Sequence, residues 1–198
     1  MKKKIYYWSP CLNPIGTIIS TINSANAINQ YSKIYEAYII NSCGEWNEYL
    51  DQFEKNSVKV INLTFNYFRF LPKRGFLGSR ISYSIIFLIS FIPLFILLKK
   101  DKPKLIILHL ITSLPLMLLN FFKFDTEFIL RISGYPKLTF IRKFFWSKIE
   151  KKIKLITCPT NDLKLDLISK KVFTEKKIKF LPDAILSSKK LISSRKKK

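Results

Sequence analysis

A chain of 198 residues, 48% of them hydrophobic, is long enough to bury one core and too apolar to be disordered. Its formal net charge of +22 predicts an anionic partner, whether a nucleic acid, an acidic membrane surface or a phosphorylated ligand. Lysine greatly outnumbers arginine and mostly lies at the ends of predicted elements, which disfavours nucleic acid as the main partner. A basic binding module is therefore kept only as an alternative.

Seven short runs rich in Ile, Val, Tyr and Phe predict β-strands, and most of the gaps between them predict helices. The runs are residues 5–8, 35–41, 58–63, 105–110, 128–132, 155–158 and 178–181. This alternation predicts an α/β fold, a Rossmann-like three-layer sandwich with a mostly parallel sheet of about seven strands. Ligands of such sheets bind beyond the carboxyl ends of the strands, so the residues after each run are the candidates for a site.

The first predicted strand leads through a loop into a helix predicted over residues 17–31, and Gly16 lies at the start of this helix. A glycine at this position lets backbone N–H groups approach an anion, which the helix dipole also favours. A tight strand-to-helix turn explains a single glycine equally well.

Two apolar stretches make a small two-span integral membrane protein an alternative. Residues 81–98 approach the length of about 20 residues that crosses a bilayer, and residues 105–122 form a second apolar stretch. The second stretch divides into the predicted strand 105–110 and a short helix from near Ser113, which favours a core helix or a surface helix over a spanning one. Basic residues at both ends of the first stretch still favour peripheral binding to anionic lipid.

The fifth predicted strand carries a charged residue near its end. This residue is Arg131, and Ser133 and Gly134 follow it in a turn. A buried arginine needs an anionic partner, which is either a phosphate of a ligand or a structural carboxylate. A cationic amphipathic helix is then predicted over residues 138–153, and Thr160 is a predicted cap of the helix after the sixth strand.

The order of several segments resembles one known enzyme family. They are Phe-Ile-Leu-Arg-Ile-Ser-Gly-Tyr-Pro at residues 128–136, Arg142-Lys143 with Trp146, Ile-Thr-Cys-Pro-Thr at 156–160 and Lys-Ile-Lys-Phe-Leu-Pro-Asp-Ala-Ile at 177–185. This order resembles the N-terminal, acceptor-side domain of bacterial family 4 glycosyltransferases, which have the GT-B architecture of two Rossmann-like lobes facing across a cleft. The resemblance covers nearly the whole chain.

The resemblance implies a glycosyltransferase family 4-like N-terminal domain at residues 1–186 and a basic inter-lobe linker or tail at residues 187–198. The C-terminal lobe, which binds the donor in the family, is then missing, so the chain by itself is expected to be inactive. The implied activity is that of a hexosyltransferase-type enzyme, which moves a sugar from a nucleotide-diphosphate donor to a hydroxyl acceptor with retention of configuration. The implied pathway is the synthesis of cell-surface polysaccharide or lipopolysaccharide.

The implied partners are a nucleotide-sugar, a glycan or lipid-linked acceptor and an anionic membrane surface, with no nucleic acid. No cofactor is expected, and no metal, because the sequence lacks an Asp-x-Asp pair. The main chemical demand is to stabilise the departing diphosphate, which helix N-termini and cations can do. Three widely spaced cysteines predict reduced thiols, so we expect a cytoplasmic protein bound peripherally to the inner face of the cytoplasmic membrane.

Matched by position, the resemblance implies a site in the cleft. His109, at the end of the fourth strand, would be the catalytic residue near the reacting sugar, and a histidine satisfied inside the sheet is the alternative. The residues implied to bind the donor diphosphate or the acceptor are Gly16, Thr17, Arg131, Ser133, Gly134 and Thr160. Among these, Gly16 corresponds to a glycine-rich loop that faces the pyrophosphate, and Thr160 caps a helix that points into the cleft.

Overall fold

The computed structural model describes residues 2–13, 16–73 and 75–186, and the predicted linker or tail at residues 187–198 lies outside them. The strands are β1 Lys3–Trp8, β2 Tyr35–Asn41, β3 Lys59–Asn62, β4 Leu105–Leu108, β5 Glu127–Arg131, β6 Ile153–Cys158 and β7 Ile178–Phe180. They form one parallel sheet in the order β3-β2-β1-β4-β5-β6-β7. Each predicted run overlaps one of these strands, and the predicted α/β fold class is confirmed.

Helices cover both faces of the sheet. Within the described ranges they are α1 Gly16–Tyr31, α2 Leu50–Glu54, α3 Phe76–Asp101, α4 Ser113–Phe121, α5 Phe140–Ile149 and α6 Asn161–Ser169. Successive side chains of a strand point to opposite faces. Tyr7 of β1 accordingly packs with α1 and α2, whereas Tyr6 and Trp8 pack in a second apolar cluster with α3, α4, α5 and α6.

The order of the strands reverses between β1 and β4. From β1 the chain builds outward through β2 to β3, and α3 then carries it back so that β4 pairs with β1 on the other side. In doubly wound sheets this reversal leaves a crevice outside the carboxyl ends of the two strands, where ligands bind. The residues that follow Trp8 and Leu108 lie at this point.

The membrane-hairpin alternative is wrong, because the second apolar stretch does not form a spanning helix. It contains β4, which is paired on both sides in the centre of the sheet, and the short helix α4. In the described part of the chain, α3 is the helix long and apolar enough to cross a membrane, with a mean hydropathy of 2.5 over 18 residues. One side of α3 is buried, because Leu94 and Leu98 pack against the sheet and Ile86 packs against the loops that contain Leu12 and Cys43, and 28% of that 18-residue window is buried.

The amphipathic helix predicted over residues 138–153 is shorter in the structure. α5 begins after Thr139, whose hydroxyl accepts a hydrogen bond from the backbone N–H of Arg142, and it ends at Ile149. A 3-10 turn follows, and Ile153 already pairs with Phe128 as the first residue of β6. Apolar spacing could not separate the helix from the strand because both bury their apolar residues in the same cluster.

Candidate functional site

A cavity of about 330 Å³ lies at the carboxyl ends of β4 and β5, beside the start of α1. Its walls contain five of the residues implied by the resemblance, which are Thr17, His109, Arg131, Ser133 and Gly134. The remaining lining residues are Leu110, Thr112, Leu130, Ile132 and Trp146. Most of the candidate residues therefore meet in one place, although three elements far apart in the sequence supply them.

Two of the implied residues do not line this cavity. Gly16 is the exposed first residue of α1, and a Cβ added there would meet no atom of the described chain beyond its own neighbours within 4 Å. Thr160 caps α6 as predicted, because its hydroxyl accepts a hydrogen bond from the backbone N–H of Leu163. The hydroxyl is thus used by its own helix, at an exposed position outside the cavity wall.

His109 is nearly buried, with 9% of its surface exposed. Its backbone N–H donates to the carbonyl of Trp8 at 2.9 Å, and its ring lies 6.3 Å from the ring of Tyr7, centroid to centroid. The Nδ1 atom is buried and has no hydrogen-bond partner among the described residues. Ser9, which follows the neighbouring strand β1, is similar. Its buried hydroxyl also has no hydrogen-bond partner among the described residues.

The environment of His109 keeps its imidazole neutral. The pKa of His109 is lowered to about 3, mainly by burial and also by the positive charge of Arg131, whereas the negative charge of Asp183 partly opposes both. A neutral imidazole carries one N–H donor and one nitrogen acceptor. With so low a pKa it is a weak proton acceptor at neutral pH, so its chemistry in the free protein is hydrogen bonding to a hydroxyl or a phosphate oxygen.

The turn after β4 has an unusual backbone conformation. Ile111 has a φ of +46°, in the left-handed region that β-branched residues rarely adopt. Its carbonyl accepts a hydrogen bond from Trp8 Nε1 at 3.1 Å, which ties the turn to the end of β1. This strained turn places Thr112 in the cavity wall, directly before α4 begins.

Arg131 is buried and already has an anionic partner. Its Nη2 and Nε atoms lie 2.6 and 3.2 Å from Oδ1 of Asp183, and Nη2 also donates to the carbonyl of Leu181 at 3.0 Å. Of the two partners that the sequence left open, the structure thus provides the carboxylate. Asp183 also accepts a hydrogen bond from the hydroxyl of Ser20 in α1 at 3.0 Å.

The segment after β7 is held across the carboxyl edge of the sheet by these contacts. Asn23 of α1 adds hydrogen bonds from Nδ2 to the carbonyls of Ala184 and Ile185, at 2.7 and 3.0 Å. The segment therefore joins α1 to β5 and forms one side of the region around the cavity.

A larger groove of about 950 Å³ adjoins the cavity. It lies between α3 and α5, and the turn after β4 forms one end of it. The two spaces share Leu110, Thr112 and Trp146, so a ligand in the groove would reach the wall that carries His109. Arg80 and Arg142 line the groove together with aromatic and aliphatic side chains.

No protein-family model and no curated protein matches the sequence. Solved structures share its fold. A glycosyltransferase from Rickettsia africae has a TM-score of 0.60 at 18% identity, over 99% of this chain and 49% of that one. UDP-GlcNAc 2-epimerase from Neisseria meningitidis, bound to UDP-GlcNAc, has a TM-score of 0.60 at 14% identity, over 98% and 49%. Anabaena HepE in complex with UDP-glucose has a TM-score of 0.52 at 10% identity, over 98% and 49%.

The chain has the Rossmann-like fold that these solved structures share with it over about half of their length. It spans about half the length of the solved structures that it matches. In this fold the cavity with His109 lies at the point where the strand order reverses, which is where sheets of this kind bind their ligands.

Sequence reasoning missed the residues that hold the edge of the lobe together. The sequence places Asp183 only in the segment 177–185 that contributes to the resemblance, and it places Ser20 and Asn23 only in the helix predicted over residues 17–31. A signal was present, because a buried arginine requires an anion and Asp183 follows directly on a strand of the same sheet. What the sequence could not give is the strand order that brings the ends of β5 and β7 within reach of each other.

The buried histidine predicts a specific pH dependence of stability. The folded protein keeps His109 neutral, whereas the unfolded chain binds a proton below its ordinary pKa of about 6.5. Stability contributed by this group is therefore lost as the pH falls from about 6.5 towards 3. We measure the free energy of unfolding by urea denaturation at pH 7 and at pH 4.5. On this fall in pH, the wild type should lose about 2 to 3 kcal/mol more of that free energy than His109→Gln loses. Equal losses in both proteins would show that the ring titrates normally in the folded state.

Proposed function

We propose that this chain is the N-terminal, acceptor-side lobe of a GT-B glycosyltransferase of the family 4 type. The enzyme would move a hexose from a nucleotide-diphosphate donor to a hydroxyl of a glycan or lipid-linked acceptor, in the synthesis of cell-surface polysaccharide or lipopolysaccharide. The observation that carries this proposal is the cavity at the reversal of strand order, where a neutral histidine with a free ring nitrogen meets Thr17, Ser133 and Gly134. The fold shared with a glycosyltransferase supports it.

The residues that line the cavity would bind different parts of the substrates. His109 would form a hydrogen bond with the acceptor hydroxyl or the reacting sugar, because its neutral ring can donate and accept. Thr17, in the first turn of α1, would lie near the donor diphosphate, where backbone N–H groups and the helix dipole favour an anion. Ser133 and Gly134 are exposed and would contact the acceptor, and Arg131 would act mainly by holding the end of β5 in place.

The reaction would need a second lobe for the donor, supplied by the same polypeptide or by another one. UDP-glucose and UDP-GlcNAc are ligands of two of the solved structures that share the fold, which supports a nucleotide-sugar as donor here. We expect retention of anomeric configuration and no divalent metal, with the departing diphosphate stabilised by helix N-termini and cations. The single lobe should therefore be inactive by itself.

The location we propose is the inner face of the cytoplasmic membrane. Cys11, Cys43 and Cys158 are all buried free thiols, which suits a reducing compartment. The net charge of +22 and the apolar helix α3 support a peripheral position on an anionic surface.

Sugar incorporation by native membranes tests the proposed activity. Membranes from cells that lack the chain are compared with membranes restored by wild type, using radiolabelled sugars from a panel of UDP-, GDP- and ADP-linked donors. Restoration by wild type should recover incorporation of one sugar into the lipid or polymer fraction. His109→Ala should lower that incorporation about tenfold to a hundredfold, because a preorganised hydrogen bond at the reacting group is lost.

Thr160→Ala is the matched control for this assay. Losing the helix cap should cost about 1 kcal/mol of stability, and incorporation should remain close to that of wild type because Thr160 is outside the cavity wall. Membranes that incorporate every sugar equally well with and without the chain would contradict the proposal. So would wild-type incorporation by a folded His109→Ala variant.

A further inference from the structure

The outer side of α3 is apolar along nearly its whole length. The side chains that face away from the protein are Leu77, Ile81, Leu88, Ile92 and Ile96, each more than half exposed. They lie opposite the buried side that contains Ile86, Leu94 and Leu98. A helix on the surface of a soluble domain normally presents polar residues to water on this side, so the arrangement calls for an apolar environment.

The apolar surface continues from α3 across the groove to α5. Phe140, Ile141 and Phe144 are 87%, 78% and 64% exposed, and α4 adds Phe121 near its end. Leu88 and Ile141 belong to this exposed set and also line opposite sides of the groove. The outer side of α3, the groove and the first turns of α5 thus form one continuous surface, called here the α3–α5 face.

The charged residues within the two chain segments that supply most of the α3–α5 face are basic, whereas Asp101 ends α3 and Glu150 follows α5. No Asp or Glu occurs between Glu54 and Asp101, or between Glu127 and Glu150. The basic residues of the described chain in these two segments include Arg69, Lys73, Arg80, Lys99, Arg142 and Lys143. The guanidinium of Arg80 lies 4.3 Å from the centre of the Phe76 ring, so cations and exposed rings are adjacent.

We propose that the α3–α5 face lies in the interfacial layer of an anionic lipid bilayer. In this orientation α3 is parallel to the membrane, its outer side chains enter the acyl boundary, and the arginines at the groove contact lipid phosphates. The groove then opens onto the bilayer next to the cavity of His109, which would admit an acceptor carried by a lipid. The proposal rests on the proposed membrane location, whereas vesicle binding does not depend on sugar transfer.

The α3–α5 face combines exposed apolar side chains with surrounding cations, and an anionic bilayer fits this combination better than a protein partner does. The five side chains named above on the outer side of α3 are large and aliphatic, as an acyl environment requires, and the surrounding cations match phosphate headgroups. A protein interface would be expected to pair some of these cations with acidic residues, and a second copy of this face would oppose positive charge with positive charge.

Binding of the purified chain to vesicles tests the proposal. We expect strong binding to vesicles of phosphatidylcholine with phosphatidylglycerol, and weak binding to phosphatidylcholine alone or in high salt. Leu88→Glu/Ile92→Glu should lower binding to the mixed vesicles about tenfold or more. The control Ile34→Glu/Leu165→Glu changes two residues that are 59% and 63% exposed elsewhere on the protein, and it should bind like wild type.

Several outcomes would overturn the proposal. They are equal binding by the two double variants, equal binding to neutral and anionic vesicles, and retention after carbonate extraction, which would indicate a spanning helix. A dimer that the α3 double variant converts to monomer, without vesicle binding by wild type, would assign the face to a second copy of the chain.

Quenching by brominated lipid gives a second measurement that needs no variant of α3. Of the three tryptophans, Trp146 lines the groove, Trp8 is fully buried in the sheet, and Trp46 lies in the cluster on the opposite face. Brominated phosphatidylglycerol should quench part of the tryptophan fluorescence, and Trp146→Phe should remove most of that quenching. Quenching that Trp146→Phe leaves unchanged would contradict the proposed orientation.

Discussion

Arg131→Ala should lower the free energy of unfolding by about 3 to 5 kcal/mol, because it removes the buried cation of an ion pair together with its other hydrogen bonds. The guanidinium is 5% exposed and bonds to Asp183, to the carbonyl of Leu181 and, at 3.4 Å, to the hydroxyl of Thr157. Its loss leaves Asp183 without its cation and releases the segment after β7. Urea denaturation of the purified variant measures the change.

A double-mutant cycle separates this ion pair from the loss of packing. Asp183→Ala alone should also be strongly destabilising, because it leaves a buried guanidinium without its carboxylate. The double variant Arg131→Ala/Asp183→Ala should then be more stable than the sum of the two single changes predicts. Additive losses would show that the two side chains do not stabilise each other.

Glu45→Ala should cost about 2 to 5 kcal/mol, the next largest effect. Glu45 follows β2 and is 3% exposed, and its carboxylate accepts hydrogen bonds from the backbone N–H groups of Ser42 and Cys43 at 2.9 and 2.8 Å. Alanine would leave two buried N–H donors without a partner, each at a cost of about 1 to 3 kcal/mol. Chemical denaturation at pH 7 measures this loss.

Two variants give the expected contrast with Glu45→Ala. Glu45→Gln keeps an acceptor for one of the two N–H groups and removes a buried charge, so it should cost less than Glu45→Ala. Burial raises the pKa of Glu45, which means that its folded form holds a proton more tightly than its unfolded form. The wild type should therefore gain stability from this group as the pH falls towards 4.5, and Glu45→Gln should not. Glu48→Ala changes an exposed carboxylate nearby and should be nearly neutral.

The strands could be predicted from the sequence because each is a short apolar run bounded by polar or turn-forming residues. Residues 105–110, for example, lie next to a strongly apolar segment, and β4 is still found there. The ends of α5 could not be predicted, since the apolar residues of the helix and of β6 enter the same core. The hydropathy of the sequence also does not show that α3 buries only one of its two apolar sides. Which side is buried depends on how the helix packs against the rest of the fold.

The candidate site was partly predictable for a similar reason. His109 follows a central strand, and parallel strands bring their carboxyl ends to one edge, which places it near Ser133 and Gly134. The low pKa of His109 and the pairing of Arg131 with Asp183 depend on burial and on strand order, which no local pattern encodes. For Thr160 the local structure could be predicted but the position in the site could not. The sequence correctly predicted that Thr160 caps a helix, but this helix lies outside the cavity wall.

The most direct test of the central claim, that this cavity is the ligand site of a sugar-transfer lobe, uses the only histidine in the sequence. The ring resonances of His109 report on the cavity by NMR, and the methyl group of Ala25, buried further along α1 than Thr17 and outside the cavity wall, serves as the internal control. Nucleotide-sugars from the UDP, GDP and ADP series are added at up to about 10 mM, because one lobe alone should bind weakly. We predict that one of them shifts the His109 ring and leaves Ala25 unchanged. An unchanged His109 ring with every nucleotide-sugar would contradict the account.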